Sequence, residues 1–225
     1  MLPFAKRSLR LRLIMWWCKH LLSAFNIRVS VIGDIPSGDT LPTSTMLVAN
    51  HISWADIHAL NSVVPLRFIA KAEIKAWPIF GYLSTKANAL YIDRNKRHDA
   101  ARIVEATAQS LASGDNLCLF PEGTTTDGSE LKPFKSSLIQ AAIHANAIIW
   151  PVAIRYPRPD GTNNTELAYA GETTLKESMQ HALNQKHPVV ELHFLTPIYT
   201  QDMADKNRRT LTLHIQNLIR TKLGI

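Results

Sequence analysis

Short apolar runs alternate with longer, periodic ones along most of this chain, and the alternation predicts strands and helices in turn. Met46-Leu47-Val48-Ala49 is a continuous apolar run of strand length, and Ala55 to Val64 has a helical pattern closed by Pro65. Arg67 to Ala70 predicts a strand, Trp77 to Lys86 a helix opened by Trp77-Pro78, and Ala89 to Ile92 another strand. From Asp99 to Leu111 the residues Ile103, Val104, Ala108 and Leu111 share one helical face, and Gly114 stops the run. Leu117 to Phe120 is strand-like up to Pro121, Phe134 to Ala145 helical, and Ala147 to Ile154 strand-like. Glu166 to Ala170 (strand), Leu175 to Leu183 (helix) and Val189 to Leu195 (strand) complete the series before a last helix. Strands this apolar have no face to give to water. The pattern therefore implies an α/β domain, a single mixed sheet flanked by helices.

A different pattern precedes that series. Residues 1–30 carry Lys6, Arg7, Arg10, Arg12, Lys19 and Arg28, and the first acid is Asp34. Between the bases sit Leu9, Leu11, Leu13, Ile14, Met15, Trp16, Trp17, Leu21, Leu22 and Phe25. The uncharged stretch in the middle runs only from Leu13 to Cys18, because Arg12 and Lys19 interrupt it. A spanning helix needs roughly 20 apolar residues, and a secretory signal needs an apolar core of roughly 7–15 with a small-residue cleavage site. Neither fits. An amphipathic helix lying among lipid headgroups does, so residues 1–30 are expected to attach the α/β domain, 31–225, to a membrane surface. The plainer alternative is a first helix packed on the protein's own core with its arginines in water. Met203 to Ile225 has a similar basic and apolar mix, and there a soluble terminal helix is the expectation.

Composition narrows the class. At 225 residues, 46% of them hydrophobic, the chain supports one sizeable core. Cys18 and Cys118 lie far apart in unlike contexts, which excludes a disulfide framework or a four-cysteine zinc site and points to a reducing compartment. A net charge of +7 calls for an acidic partner: nucleic acid, an anionic membrane, a phosphorylated substrate or an acidic carrier protein. No nucleic-acid motif accompanies the bases, and tryptophans within an apolar stripe suit lipid better, so nucleic acid is not expected as a partner.

Candidate chemistry gathers where strands end, the usual place for ligands in α/β sheets. Asn50-His51-Ile52-Ser53-Trp54-Ala55-Asp56 follows the first apolar strand. Five helical steps rotate about 140°, so His51 and Asp56 cannot meet on a regular helix. With His51 on the entry loop and Asp56 in the first turn they can. The carboxylate would then hold Nδ1–H and leave Nε2 as a base. The alternative is a helix-entry His and a surface Asp. Phe120-Pro121-Glu122-Gly123-Thr124-Thr125-Thr126-Asp127-Gly128 offers hydroxyls and backbone N–H groups to an oxyanion or phosphate, unless it is only a polar turn. Tyr91-Ile92-Asp93-Arg94 ends another strand, where Arg94 is able to fork onto an anion.

Taken together, these segments resemble the glycerolipid acyltransferase family, which has four blocks in fixed order, matched here across residues 46–156. The resemblance makes His51 and Asp56 the catalytic His-x4-Asp pair. Lys71-Ala72-Glu73-Ile74 with Tyr91-Ile92-Asp93-Arg94 looks like the second block, whose Arg binds acceptor phosphate. Phe120-Pro121-Glu122-Gly123-Thr124 looks like the third, an acceptor-binding loop, and Trp150-Pro151-Val152-Ala153-Ile154 like the fourth, near the acyl pocket. One position departs: the third block usually continues with Arg, and here Thr125 stands there. Arg94 with Lys71, Lys132 or Lys135 is the compensation expected.

The resemblance implies transfer of a fatty acyl group from acyl-CoA or acyl carrier protein to a lysolipid hydroxyl, without cofactor or metal, at the cytoplasmic face of the inner membrane. The acceptor it implies first is 1-acyl-sn-glycerol-3-phosphate, giving phosphatidic acid; the missing arginine leaves room for lyso-ornithine lipid. An acyl-thioester hydrolase and a non-catalytic membrane-binding module are the rival classes. Ser53 lacks a Gly-x-Ser-x-Gly elbow and is expected to cap a helix. His58 has no companion ligand cluster with metal spacing, and Cys118 is expected in the core.

Overall fold

A computed structural model of the chain describes residues 7–33, 42–76, 81, 85, 89–92 and 99–225, with the backbone alone at 7–8, 70–71, 73–74, 92 and 99–100. In chain order the elements are α1 (Arg7–Ala24), β1 (Arg28–Ile32), β2 (Thr45–Ala49), α2 (Ala55–Val63), β3 (Arg67–Lys71), β4 (Leu90–Ile92), α3 (Asp99–Ala112) and β5 (Leu117–Leu119). Then come α4 (Ile139–His144), β6 (Ile148–Arg155), α5 (Leu175–Leu183), β7 (Val189–Phe194), β8 (Ile198–Tyr199) and α6 (Arg208–Leu223).

The strands form one sheet in the order β1-β7-β6-β2-β5-β3-β4, with β8 also paired to β6. Most pairs are parallel; β6 runs antiparallel to β7 and β8, so the sheet is mixed. Every residue of β2 is buried because helices cover both faces. Leu47, Ala49, Cys118, Phe120, Trp150 and Val152 pack toward α1, α2 and α5 on one side. Met46, Val48, Leu117, Leu119, Ile149 and Ala153 pack toward α3, α4 and α6 on the other.

Three elements differ from the sequence expectation. Phe134 to Ala145 begins its helix only at Ile139, because the N–H groups of Phe134 and Lys135 are already donated outward, to Gln216 Oε1 and Pro121 O. Glu166 to Ala170 forms no strand. Leu167 and Ala168 donate back to Asn164 and Thr165, curling Thr165–Leu167 into a 3-10 turn that buries Leu167. β1 lies across the expected boundary at residue 30, pairing with β7 from Arg28 to Ile32. The expected helix over Trp77 to Lys86 falls largely outside the described residues.

Helix α1 has apolar residues on two opposite sides. Cys18 and Leu22 are buried on the side toward α2. On the outer side Leu9, Leu13, Trp16 and Trp17 are 51%, 40%, 56% and 43% exposed, with the exposed Arg12 and Lys19 beside them. No helix among the described residues is long and apolar enough to cross a membrane.

Candidate active site

The parallel pairing sets the C-terminal ends of β6, β2, β5, β3 and β4 side by side along one edge of the sheet. That edge gathers the segments the sequence singled out. At its centre Asn50 leaves β2 while keeping the ladder going with its side chain. Its Nδ2 donates to Ile154 O (2.9 Å) and its Oδ1 accepts from Ile154 N (2.7 Å). The amide stands in for one more peptide pairing, so the main chain can turn out of the sheet at His51 without orphaning β6.

His51 is then held on several sides. Its N–H donates to Glu122 Oε1 (2.8 Å), its carbonyl accepts from Thr126 N (2.9 Å), and its ring lies flat on Phe120 at 3.9 Å and 9°. Phe68 stacks behind Phe120. Asp56, in the first turn of α2 and fully buried, supplies the remaining contact. Its Oδ2 accepts from His51 Nδ1 (2.7 Å), Ile52 N (2.7 Å) and Ser53 N (2.9 Å), and its Oδ1 accepts from Tyr156 OH (2.6 Å). A carboxylate surrounded by donors fixes the imidazole tautomer: Nδ1 carries the proton, and Nε2, on the opposite side of a ring that is 17% exposed, is the basic nitrogen. The expected pair therefore meets, with His51 on the loop and Asp56 in the helix.

Glu122 differs from its expected place among the acceptor contacts. It is buried, and both carboxylate oxygens are engaged by main-chain donors, His51 N at 2.8 Å and Lys132 N at 2.9 Å. Burial raises this carboxyl above the ordinary range, while those two N–H groups pull it back down. Glu122 is a strut between the His51 loop and the Lys132 loop. At the next residue a φ of +75° at Gly123 reverses the chain. Thr124 is exposed, and the N–H groups of Thr124 and Thr125 have no protein acceptor among the described residues. The Thr125 hydroxyl donates to the Tyr169 carbonyl, and Tyr169 N donates to Ile52 O (2.9 Å), so one loop braces both others. Lys132 is half-buried and Lys135 exposed beside this turn.

Lys71 ends β3 opposite Ile92 of β4, which brings the two parts of the second block to the same edge. The Lys71 side chain, Asp93 and Arg94 lie outside the described residues. Ser53 is buried and its hydroxyl accepts from Ala55 N at 3.4 Å, but the expected cap does not form: Trp54 stands at the N-cap of α2, with no side-chain cap bond. Cys118 is buried in the sheet, where desolvation raises its thiol well above the ordinary value. His58 sits between α1 and α2, its Nδ1 3.6 Å from Cys18 Sγ. Burial lowers the imidazole to about 4 and pushes the thiol up to about 12, so both are neutral packing groups at pH 7. The sequence reading missed Asn50, the stacking role of Phe120, and Tyr156. The last had no local signal, standing 100 positions from Asp56.

Comparison with known proteins finds similarity in sequence and in fold. A family model described as acyltransferase matches residues 34–155. A lyso-ornithine lipid O-acyltransferase from Pseudomonas aeruginosa is 37% identical over 215 residues, covering 96% of this chain and 80% of that protein. A 1-acyl-sn-glycerol-3-phosphate acyltransferase from Neisseria gonorrhoeae is 35% identical over 188 residues, covering 84% and 72%. The crystal structure of the 1-acyl-sn-glycerophosphate acyltransferase from Thermotoga maritima superimposes with a TM-score of 0.71 at 20% identity, covering 95% of this chain and 78% of that one, a likeness of fold.

Proposed function

The chain belongs to the acyltransferase family, and we propose that it moves a fatty acyl group from a thioester to a lysolipid hydroxyl with His51 as the general base. The observation that carries this reading is the 2.7 Å bond from His51 Nδ1 to the buried Asp56, which leaves Nε2 as the proton acceptor at the lip of the sheet. Nε2 takes the proton of the acceptor hydroxyl as its oxygen attacks the thioester carbonyl. Asp56 stabilises the imidazolium without taking the proton. The N–H groups of Thr124 and Thr125 receive the oxyanion, a contribution of roughly 3–4 kcal/mol per donor. Collapse breaks the C–S bond, and the thiolate leaves with the proton returned from Nε2. The acyl donor is acyl-CoA or acyl carrier protein, and no cofactor takes part.

The outer side of α1 supports peripheral attachment to a membrane surface, which we place at the cytoplasmic face as part of the same proposal. Its exposed Leu9, Leu13, Trp16 and Trp17 with basic neighbours suit an anionic headgroup layer. For the acceptor, 1-acyl-sn-glycerol-3-phosphate is the first reading, supported by the name of the Neisseria relative and by Lys132 and Lys135 at the loop. A specific observation favours lyso-ornithine lipid as the second: Thr125 replaces a guanidinium with a hydroxyl already donated to Tyr169.

The test is purified protein with one acyl-thioester and each lysolipid in turn, products identified by mass. The parent forms the diacyl product, releases thiol only when acceptor is present, and His51→Ala forms none while still binding liposomes. Activity retained by His51→Ala removes this mechanism, and thiol release indifferent to acceptor makes the protein a hydrolase.

A further inference from the structure

The buried edge of the Asp56 carboxylate faces the end of β6, where the Tyr156 side chain meets it. Tyr156 is 2% exposed, one residue past the end of β6, and its hydroxyl donates to Oδ1 at 2.6 Å. Three N–H donors occupy Oδ2, one of them the His51 ring. From the division of these donors we infer that Tyr156 is a positioning residue for acyl transfer, fixing the rotation of the Asp56 carboxylate so that Oδ2 alone is presented to His51. The inference rests on His51 and Asp56 being the working pair.

The Tyr156 hydroxyl meets the Ser53 side chain as well as Asp56, and of the two only the Asp56 bond leads to His51. Asp56 sits in the first turn of α2, fully buried, and turns about its own side-chain torsions, so hydrogen bonds to Oδ2 alone would leave Oδ1 without the donor that Tyr156 supplies. A carboxylate in that situation gains by rotating to share its donors between both oxygens, and His51 Nδ1 loses its straight partner. The phenol prevents this from the far side. Burial and the Asp56 charge hold the phenol well above its ordinary ionisation range, so it stays a donor at any working pH. Asn50 sets the distance: by clamping Ile154 to the end of β2 it fixes where Tyr156, two residues on, meets α2. Tyr156 never touches the lysolipid or the thioester in this arrangement; it acts through Asp56.

Steady-state kinetics of Tyr156→Phe, Asp56→Asn and the double variant test this, on protein whose thermal unfolding and liposome binding are measured alongside. Tyr156→Phe keeps the ring and the packing and removes one donor to a charged group. We expect kcat to fall about ten- to a hundredfold, with KM for both substrates within roughly twofold of the parent. In the Asp56→Asn background the same change should cost almost nothing more, because its only route to the reaction is gone. The nitrogen-bound proton of His51, read by proton NMR far downfield, should shift in Tyr156→Phe even at full folding. An unchanged kcat, or losses that multiply in the double variant, overturns the inference. If Tyr156→Phe does not fold, a ring-fluorinated tyrosine placed at 156 decides it: a stronger donor that leaves kcat and the His51 signal unmoved counts against the role. Full activity in Asp56→Asn would instead sink the parent mechanism.

Discussion

Glu122→Gln separates a strut from a substrate contact. The carboxylate accepts from His51 N at 2.8 Å and Lys132 N at 2.9 Å, one oxygen each. A glutamine offers one oxygen and one NH2, so in either orientation one backbone N–H meets a donor and is left unsatisfied in a buried place. That costs about 1–3 kcal/mol, and the surviving bond weakens by about 1 kcal/mol on losing its charge. Relief of the desolvation that raises this carboxyl returns part of the total, leaving roughly 2 kcal/mol. For a chain of this length the loss lowers Tm by about 4–8 °C.

The pH dependence carries a sign. A carboxyl raised in the folded state contributes most stability below the unfolded value of about 4.3, and that contribution fades as pH rises through the raised folded value. The glutamine variant lacks this slope. Unfolding monitored by circular dichroism from pH 4 to 8, beside kcat and the KM for acceptor, reads both effects. We expect lower Tm and lower kcat as the His51 loop loosens, with KM for acceptor little changed. An unaltered Tm with a raised acceptor KM would refute the strut and restore Glu122 to the acceptor.

Other outcomes follow from the same geometry. Thr125→Arg adds a guanidinium beside the loop and should raise kcat/KM for a phosphate-headed lysolipid relative to lyso-ornithine lipid by about tenfold or more, read in a competition assay with mass detection. Trp16→Ser with Trp17→Ser removes two exposed rings from α1 and should weaken binding to anionic vesicles by an order of magnitude or more, with Tm unchanged. His58 is lowered in the folded state to about 4, so its contribution to stability is complete above pH of about 6.5 and is lost as pH falls toward 4. The loss reaches up to about 3 kcal/mol, less whatever water relieves at the ring's accessible edge. Denaturant unfolding of the parent beside His58→Asn should show this acid slope only in the parent.

Much of the architecture is local enough to be read from the chain. Apolar runs such as Met46 to Ala49 become strands because a sheet covered on both faces leaves them nowhere polar to point, and the face shared by Val104, Ala108 and Leu111 becomes α3 for the same reason. His51 and Asp56 were legible as a pair because five residues across a strand-to-helix turn suffice to join them. The segments that failed were those whose backbone donors went elsewhere. Lys135 N bonds to Pro121 and Leu167 N to Asn164, and spacing along the chain does not announce either. The roles of Asn50, Glu122 and Tyr156 belong to the tertiary structure alone. Each side chain meets a partner about a hundred or seventy positions away, and only the order of strands β6, β2 and β5 sets those partners within hydrogen-bond reach. Residue type specified what chemistry was available at each position; sheet order decided which groups would hold the imidazole.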